Sequence, residues 1–484
     1  MFRSLRTEIL AGMVGTFALI PEVIAFSFVA GVDPEVGLFA SFVIGVVIAV
    51  TGGRPAMISG AAGSVALVAA ALMRAHGLDD LLAATLLAGL FQVVFGLLKL
   101  HVLMRYVSRS VRTGFVNALA ILIFSAQLPQ IVGPHGGFGP GFGWQNLAMI
   151  AGGLVLIYGV PRFTTVIPSP LICIAVLTVA SLLVPMHLRT VADLGRLPSS
   201  LPGLHWPHLK LDWQTLGIVA PYALAMAVVG LLESMMTASV VDELTETRSD
   251  KRRECTGLGL ANIAAGLFGG IAGCGMIGQT VGNVRYGGRG RVSTFVAGAF
   301  LLLLTVILRP WLAQVPVAAL VAIMIMVSVS TFSWGSLRDL VQHPRTSSMV
   351  MLATVAVVVA TSDLAIGVVV GVLLSGVFFA FKVTRLMTVE SRFDPATDTR
   401  FYVVRGQVFF ASADQFAEQF RPDETARHVH IDLSDAHLWD ITAVGALESV
   451  VAGYRRRGIT VAVQGLNPAS TTLVERHAEA SLLG

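Results

Sequence analysis

Two carboxylates stand where carboxylates are expensive. Glu22 follows Pro21 inside an apolar run from Ile9 to Gly31, and Glu233 lies in a second run near residues 214–241. A charge at the centre of a membrane helix costs about 3 kcal/mol on insertion scales, so acidic residues persist there when they face a cavity or a partner. Low dielectric also favours the protonated carboxyl. At least one of the two is therefore expected to take a proton at ordinary pH and release it on the cytoplasmic side, which makes Glu22 and Glu233 candidates for proton coupling. Their plainer roles are structural: Glu233 hydrogen-bonds across the interior, and Glu22 satisfies backbone freed by Pro21. Asp33, Glu35, Asp79, Asp80 and Asp363 fall at the ends of apolar runs, where water solvates them.

Roughly 40 residues beyond each glutamate comes a Gly-rich interruption, Ser59-Gly60-Ala61-Ala62-Gly63-Ser64 and Gly273-Cys274-Gly275-Met276-Ile277-Gly278-Gln279-Thr280. Glycine in a helix interior costs about 1 kcal/mol relative to alanine. The backbone it exposes finds no partner in hydrocarbon, so such breaks survive where they are buried or line a cavity. Short interrupted segments at matching places in two halves point to a site near the bilayer midplane. Half-helices starting there aim uncommitted N–H groups and positive dipole ends at one point, which suits an anion. The expected contacts are Gly63, Ser64, Ile277 and Gly278 through the backbone, with Ser64, Gln279 and Thr280 adding donors. The competing role is close helix packing through small residues.

These elements require a bilayer around them. The 484 residues are 55% hydrophobic and only 13% charged, against roughly 25% charged in soluble domains. At about 20 apolar residues per span, fewer where a helix is broken, segments fall near 9–31, 36–52, 57–73, 81–99, 111–132, 144–160 and 166–185, then near 214–241, 255–274, 275–284, 291–308, 311–331, 346–361 and 364–381: two sets of seven. The first run is long enough to span and reads as a retained helix, not a cleaved leader. With the N-terminus in the cytoplasm, the inside loops collect nineteen Lys and Arg, among them Arg54, Arg109, Arg162, Arg338 and Arg345. The outside loops receive five, Arg74, Arg189, Arg196, Lys210 and Arg309. That bias puts both termini in the cytoplasm. Two halves of odd span number insert with opposite orientation, the arrangement of inverted repeats in secondary transporters.

Several classes are excluded. Cys173, Cys255 and Cys274 have no paired or metal-ligand spacing and read as packing residues. The formal charge of +4 is scattered through short loops, unlike the stripe that binds nucleic acid. No paired-His motif, metal cluster or nucleophile constellation falls in the spans, so neither an enzyme nor a metal or redox cofactor is expected. The run from Asp242 to Glu254 alternates in sign and reads as a solvated, salt-bridged loop.

After Phe381 the pattern changes. Arg400 to Arg405, Gln407 to Phe410, His428 to Ser434 and Ile459 to Gln464 read as strands and Asp440 to Arg457 as a helix, an α/β domain. Asp440 and Thr442 are placed to cap that helix.

The run Asp33-Pro34-Glu35-Val36-Gly37-Leu38-Phe39-Ala40-Ser41, then Gly52-Gly53-Arg54 and Ser59-Gly60, resembles the SulP sulfate-permease family, to which prestin is related. The resemblance continues through Glu233-Ser234, Gly257-Leu258-Gly259-Leu260-Ala261-Asn262-Ile263, Gly269-Gly270 and Asn283, covering nearly the whole chain. Ile431-Asp432-Leu433-Ser434 and Asp440-Ile441-Thr442-Ala443 are similar to the STAS domain of these proteins and of anti-sigma-factor antagonists. The resemblance implies an α-helical polytopic membrane protein of about 14 segments in a 7+7 inverted repeat, with core and gate domains over 1–388 (repeats about 1–188 and 212–388) and a cytoplasmic α/β STAS domain over 389–484. It also implies a secondary active transporter of a small anion, a dicarboxylate such as fumarate, sulfate or bicarbonate, working by alternating access in a bacterial cytoplasmic membrane. Proton-coupled symport is expected, with sodium the other candidate ion, and a homodimer. Many members carry an arginine in the second half-helix where this chain has Gln279. In the antagonists a hydroxyl near the position of Thr442 is phosphorylated, making Thr442 a candidate regulatory residue. The rival readings are a nucleobase/proton symporter of the same fold, against which the STAS tail argues, and a membrane anion sensor signalling through STAS.

Overall fold

The computed structural model describes residues 2–132, 143–163, 168–184, 188–205, 213–342, 344–421 and 425–477. Lys210 and the last seven residues of the expected C-terminal domain lie outside them.

The first set of membrane segments is α1 (Phe2–Ala30), α2 (Pro34–Thr51), α3 (Gly63–His76), α4 (Leu78–Leu97), α5 (Arg109–Val132), α6 (Trp144–Gly159) and α7 (Ser169–Leu183). The second is α8 (Trp213–Thr245), α9 (Lys251–Leu267), α10 (Ile277–Arg285), α11 (Arg291–Ile307), α12 (Val317–Thr331), α13 (Arg345–Thr361) and α14 (Leu364–Thr384). Eight of these carry stretches long and apolar enough to cross a bilayer, and α3, α7, α11 and α13 are shorter apolar helices. The helices α9 and α10 complete the fourteen. Large apolar side chains such as Leu98, Leu183, Leu373 and Phe379 are exposed, as expected of surfaces that face lipid. Two expected segments are interrupted. In place of a helix from 57, Ser59–Gly60 forms an extended strand β1, and Cys274–Gly275 forms its counterpart β2. The helix expected through 274 stops at Leu267, and Gly269 turns the chain at φ +74°, a conformation that glycine adopts without strain.

Exchanging the two sets maps the main helix contacts onto one another. The contact of α2 with α11 has its mate in α9 with α4, α1 with α11 in α8 with α4, α1 with α10 in α8 with α3, and α5 with α13 in α12 with α6; α2 with α9, α5 with α12 and β1 with β2 are their own mates. Even the closest approaches are exchanged. A Cβ on Gly45 would lie 3.0 Å from Gly298 Cα where α2 meets α11, and one on Gly89 would lie 2.6 Å from the Gly259 carbonyl where α4 meets α9.

A polar network ties the α2–β1 connection to α8 and α9. Glu254 is fully buried, and its Oε2 accepts from the Gly53 and Arg54 N–H groups at 2.8 and 3.0 Å. The Arg54 guanidinium donates to Asp242, Thr245 and Thr247. The run from Asp242 to Glu254 is therefore not simply a solvated loop: Glu254 faces inward because two backbone donors await it.

By contact density the chain divides into Met1–Val372 and Leu373–Gly484, a boundary inside α14. The second unit holds a sheet of β3 (Thr388–Asp394), β4 (Thr399–Val408), β5 (His428–Leu438) and β6 (Thr460–Gln464), in that spatial order. β3 runs antiparallel to β4, and the other pairs are parallel. With helices α15 (Ala413–Glu418), α16 (Ile441–Arg455) and α17 (Pro468–His477) it encloses a core of Tyr402, Phe416, Ile431, Leu447 and Val474. The two strands expected over 400–410 are one, with an irregularity between Val403 and Arg405. The edge strand β3 went unread because most of its residues are exposed and lack alternation.

Gly259→Leu is expected to separate α4 from α9, at a cost of about 3 kcal/mol for overpacking. Thermal unfolding in detergent measures it, with Leu260→Ala on an exposed position of α9 staying near wild type.

Candidate functional site

The interruptions meet. β1 and β2 pair antiparallel, Ser59 opposite Gly275 and Gly60 opposite Cys274, so the breaks of the two halves become one structure. The approach needs glycine, since a Cβ on Gly273 would collide with the Gly60 carbonyl. Extended backbone inside a membrane must be satisfied by the protein itself, and small polar side chains from four helices do this. Ser41 of α2 accepts from Ala61 N–H at 2.9 Å, and Ser234 of α8 from Gly275 N–H at 2.8 Å. Thr85 of α4 accepts from Ala272 N–H at 3.1 Å. Asn262 of α9 accepts from Gly273 N–H at 2.9 Å, donates back to its carbonyl at 3.1 Å, and is itself held by Gln92 at 2.8 Å. Thr237 donates to the Gly275 carbonyl at 3.1 Å.

From this pair two helices start, α3 at Gly63 and α10 at Ile277, neither with a side-chain cap. The first intrahelical bonds run from Ala66 to Ala62 and from Thr280 to Met276. The N–H groups of Gly63, Ser64, Ile277 and Gly278 therefore lie outside both ladders. In front of Gly278 a Cβ would meet nothing within 4 Å, whereas one on Gly63 would press on the Phe26 ring at 2.7 Å. Open space thus begins on the Gly278 side.

The two glutamates differ in surroundings. Glu233 Oε2 accepts from the Ser64 hydroxyl and from Cys274 Sγ, the latter at 3.1 Å. Glu22 faces the Gln279 amide and lies within electrostatic reach of Glu233. Gln279 is buried, and its Nε2 has no hydrogen-bond partner. Among the described residues no Lys or Arg pairs with either carboxylate.

The structure thus gathers Glu22, Glu233, Gly63, Ser64, Ile277, Gly278 and Gln279 around the paired breaks. It removes Thr280 from the expected donors: its hydroxyl accepts from Ile58 N–H at 2.9 Å and donates to Ile58 O at 3.2 Å, and its N–H is spent on Met276. Thr280 pins the second half to the first. Cys274, expected to be a packing residue, is a donor to Glu233. Its place inside the interruption was the signal available. In the second unit Asp440 caps α16 through Ala443 N–H at 2.9 Å and accepts from Phe410 N–H at 2.7 Å. Thr442 is exposed and takes no part in that cap.

A site made from matched helix breaks, in halves that exchange into one another, defines an inverted-repeat membrane carrier. The chain belongs to the Sulfate permease family, whose profile matches residues 5–354, and a STAS domain matches residues 393–481. It is a transporter of that family and not an enzyme. It is 50% identical over 477 residues to the putative sulfate transporter YbaR of Bacillus subtilis (strain 168), covering 99% of this chain and 98% of that one. It is 26% identical to the bicarbonate transporter BicA of Picosynechococcus sp. (strain ATCC 27264 / PCC 7002 / PR-6), over 93% of this chain and 87% of that one. The solved transmembrane domain of a cyanobacterial BicA matches with TM-score 0.66 at 25% identity, covering 78% of this chain and 98% of that one. The murine Slc26a9 anion transporter shares the fold, with TM-score 0.82 at 18% identity over 98% of this chain and 87% of that one.

Gly278→Leu is expected to fill the open space beside the start of α10, where a Cβ meets nothing within 4 Å, and to lower substrate uptake at least about tenfold, while thermal unfolding stays near wild type. Uptake into proteoliposomes and a melting curve of the same preparation check both halves of that expectation.

Proposed function

We propose that the protein is a secondary active transporter of a small anion, held at the β1–β2 junction and moved by alternating access with protons. The observation that carries this reading is the pair of uncapped helix starts, α3 and α10, joined by one two-strand pair next to open space. The backbone N–H groups of Gly63, Ser64, Ile277 and Gly278 and the Gln279 amide face the anion.

Charge balance supports proton coupling. Each helix start supplies about half a positive charge, and among the described residues no guanidinium or ammonium pairs with the carboxyls there, while Glu22 and Glu233 add repulsion when ionised. A divalent anion such as sulfate or fumarate therefore enters together with protons. Bicarbonate, with one charge, needs fewer. The names of the relatives, sulfate for one and bicarbonate for another, fit a site that recognises small oxyanions through backbone donors.

The remaining parts rest on the charge of the loops and on the family resemblance. Nineteen basic residues in one set of loops against five in the other put both termini in the cytoplasm of a bacterial inner membrane. The transport domain extends over 1–388 and the STAS domain over 389–484, which regulates or assembles the carrier, with Thr442 exposed for modification and a homodimer as the working form.

Uptake of labelled sulfate, bicarbonate and fumarate into proteoliposomes, with and without an inward proton gradient, tests the reading. The wild type should concentrate at least one of them and accelerate with the gradient. Glu22→Gln and Glu233→Gln should lose that acceleration, with exchange surviving in at least one. If both variants keep full proton-driven accumulation, neither carboxyl couples transport to protons. Gln279→Arg, which sets a fixed cation beside Glu22, should preserve exchange and flatten its dependence on pH.

A further inference from the structure

Away from the paired breaks, a cavity of about 230 Å³ opens where α5 and α13 begin. Arg109, Ser110 and Thr113 line it from α5, Ser347 and Ser348 from α13, and Asp339 from the short helix Gly335–Gln342. The Arg109 guanidinium makes no hydrogen bond or ion pair with any described residue, and neither do the hydroxyls of Ser110, Thr113 and Ser347. Ser348 Oγ is turned to the Leu340 carbonyl at 3.4 Å. Asp339 has a partner of its own. Apart from Asp339, which has that partner, the cavity presents an exposed guanidinium and three hydroxyls, each able to donate and none engaged by a described residue.

The wall of the cavity is itself informative. The helix Gly335–Gln342 joins α12 to α13, so its two ends hold it at a membrane face. Leu337 and Val341, spaced to share one side of the helix, are 50% and 88% exposed, and Trp334 just before it is 60% exposed. Arg338 and Arg345 are exposed beside them. A short helix with one apolar side and flanking arginines lies in the headgroup layer with that side toward the acyl chains.

We propose that this cavity binds the phosphate of an anionic phospholipid, with Arg109 and the Ser110, Thr113 and Ser347 hydroxyls donating to its oxygens while Leu337 and Val341 meet the acyl chains. Charge-assisted bonds from a guanidinium are the strong kind, and the exposed apolar side gives a lipid a foothold that a free phosphate ion cannot use. The occupied cavity ties the start of α5 to the start of α13 at the membrane face. It is independent of the transported anion.

The full-length protein, delipidated in detergent, is titrated with phosphatidylglycerol, phosphatidylcholine or inorganic phosphate, and bound lipid is read by native mass spectrometry. One guanidinium at a charged membrane surface corresponds to about a fivefold change in affinity. Phosphatidylglycerol should be retained about fivefold or more over phosphatidylcholine. The preference should vanish in Arg109→Gln and persist in Arg162→Gln, an exposed arginine of another loop, while Leu337→Ser/Val341→Ser should lower retention of both lipids. Equal retention of the two lipids overturns the proposal, as does a preference left intact by Arg109→Gln in a protein that melts like wild type. Displacement of the lipid by inorganic phosphate would reassign the cavity to a free anion. If the double variant does not fold, Arg109→Gln, whose guanidinium holds no described residue, still decides.

Discussion

A short piece of extended backbone in hydrocarbon sets the terms for the transport domain. Each unpaired N–H or C=O there costs several kcal/mol. β1 and β2 answer this by pairing with each other, and the leftover groups around them are met by Ser41, Thr85, Ser234, Thr237, Asn262 and Thr280. Those side chains reach only if α2, α4, α8 and α9 come close, and the closeness rests on residues without side chains, such as Gly89 against Gly259. The broken helices are therefore the reason for the tight bundle around them.

Electrostatics inside that bundle is done by backbone. Cations are held away from the breaks: Arg54 is spent on Asp242, Thr245 and Thr247, and Arg291 on the carbonyls of Ala49, Val50 and Gly52. What remains at the junction is two helix starts, an amide and two carboxyls. The carboxyls are not equivalent, because Glu233 is held by a hydroxyl and a thiol while Glu22 faces an amide nitrogen with no partner.

The sequence made the breaks, both glutamates and the α/β tail legible, since glycine clusters and acids inside apolar runs are strong local signals. The scaffold was hidden. Ser41, Ser234 and Asn262 are ordinary small polar residues within apolar runs, and nothing in their spacing says that each meets a backbone group elsewhere in the chain. Glu254 was misread because alternating charge looks the same whether the side chain is solvated or turned inward to Gly53 and Arg54. Thr280 was misread for the opposite reason: its place in the break made it look like a ligand donor, and Ile58, more than 200 residues earlier, claims it.

That long separation bears on how the protein is made. When α3 leaves the ribosome, the partner of β1 does not yet exist: Cys274 lies 274 − 60 = 214 residues after Gly60, which at ordinary rates is on the order of 10–40 s of synthesis. Throughout that interval the first half carries bare amides that lipid cannot solvate. They must be kept wet, or shielded by the insertion machinery, until the second half arrives. Biogenesis of the two halves is thus obligatorily coupled, and a nascent chain stalled between them is the form most exposed to quality control.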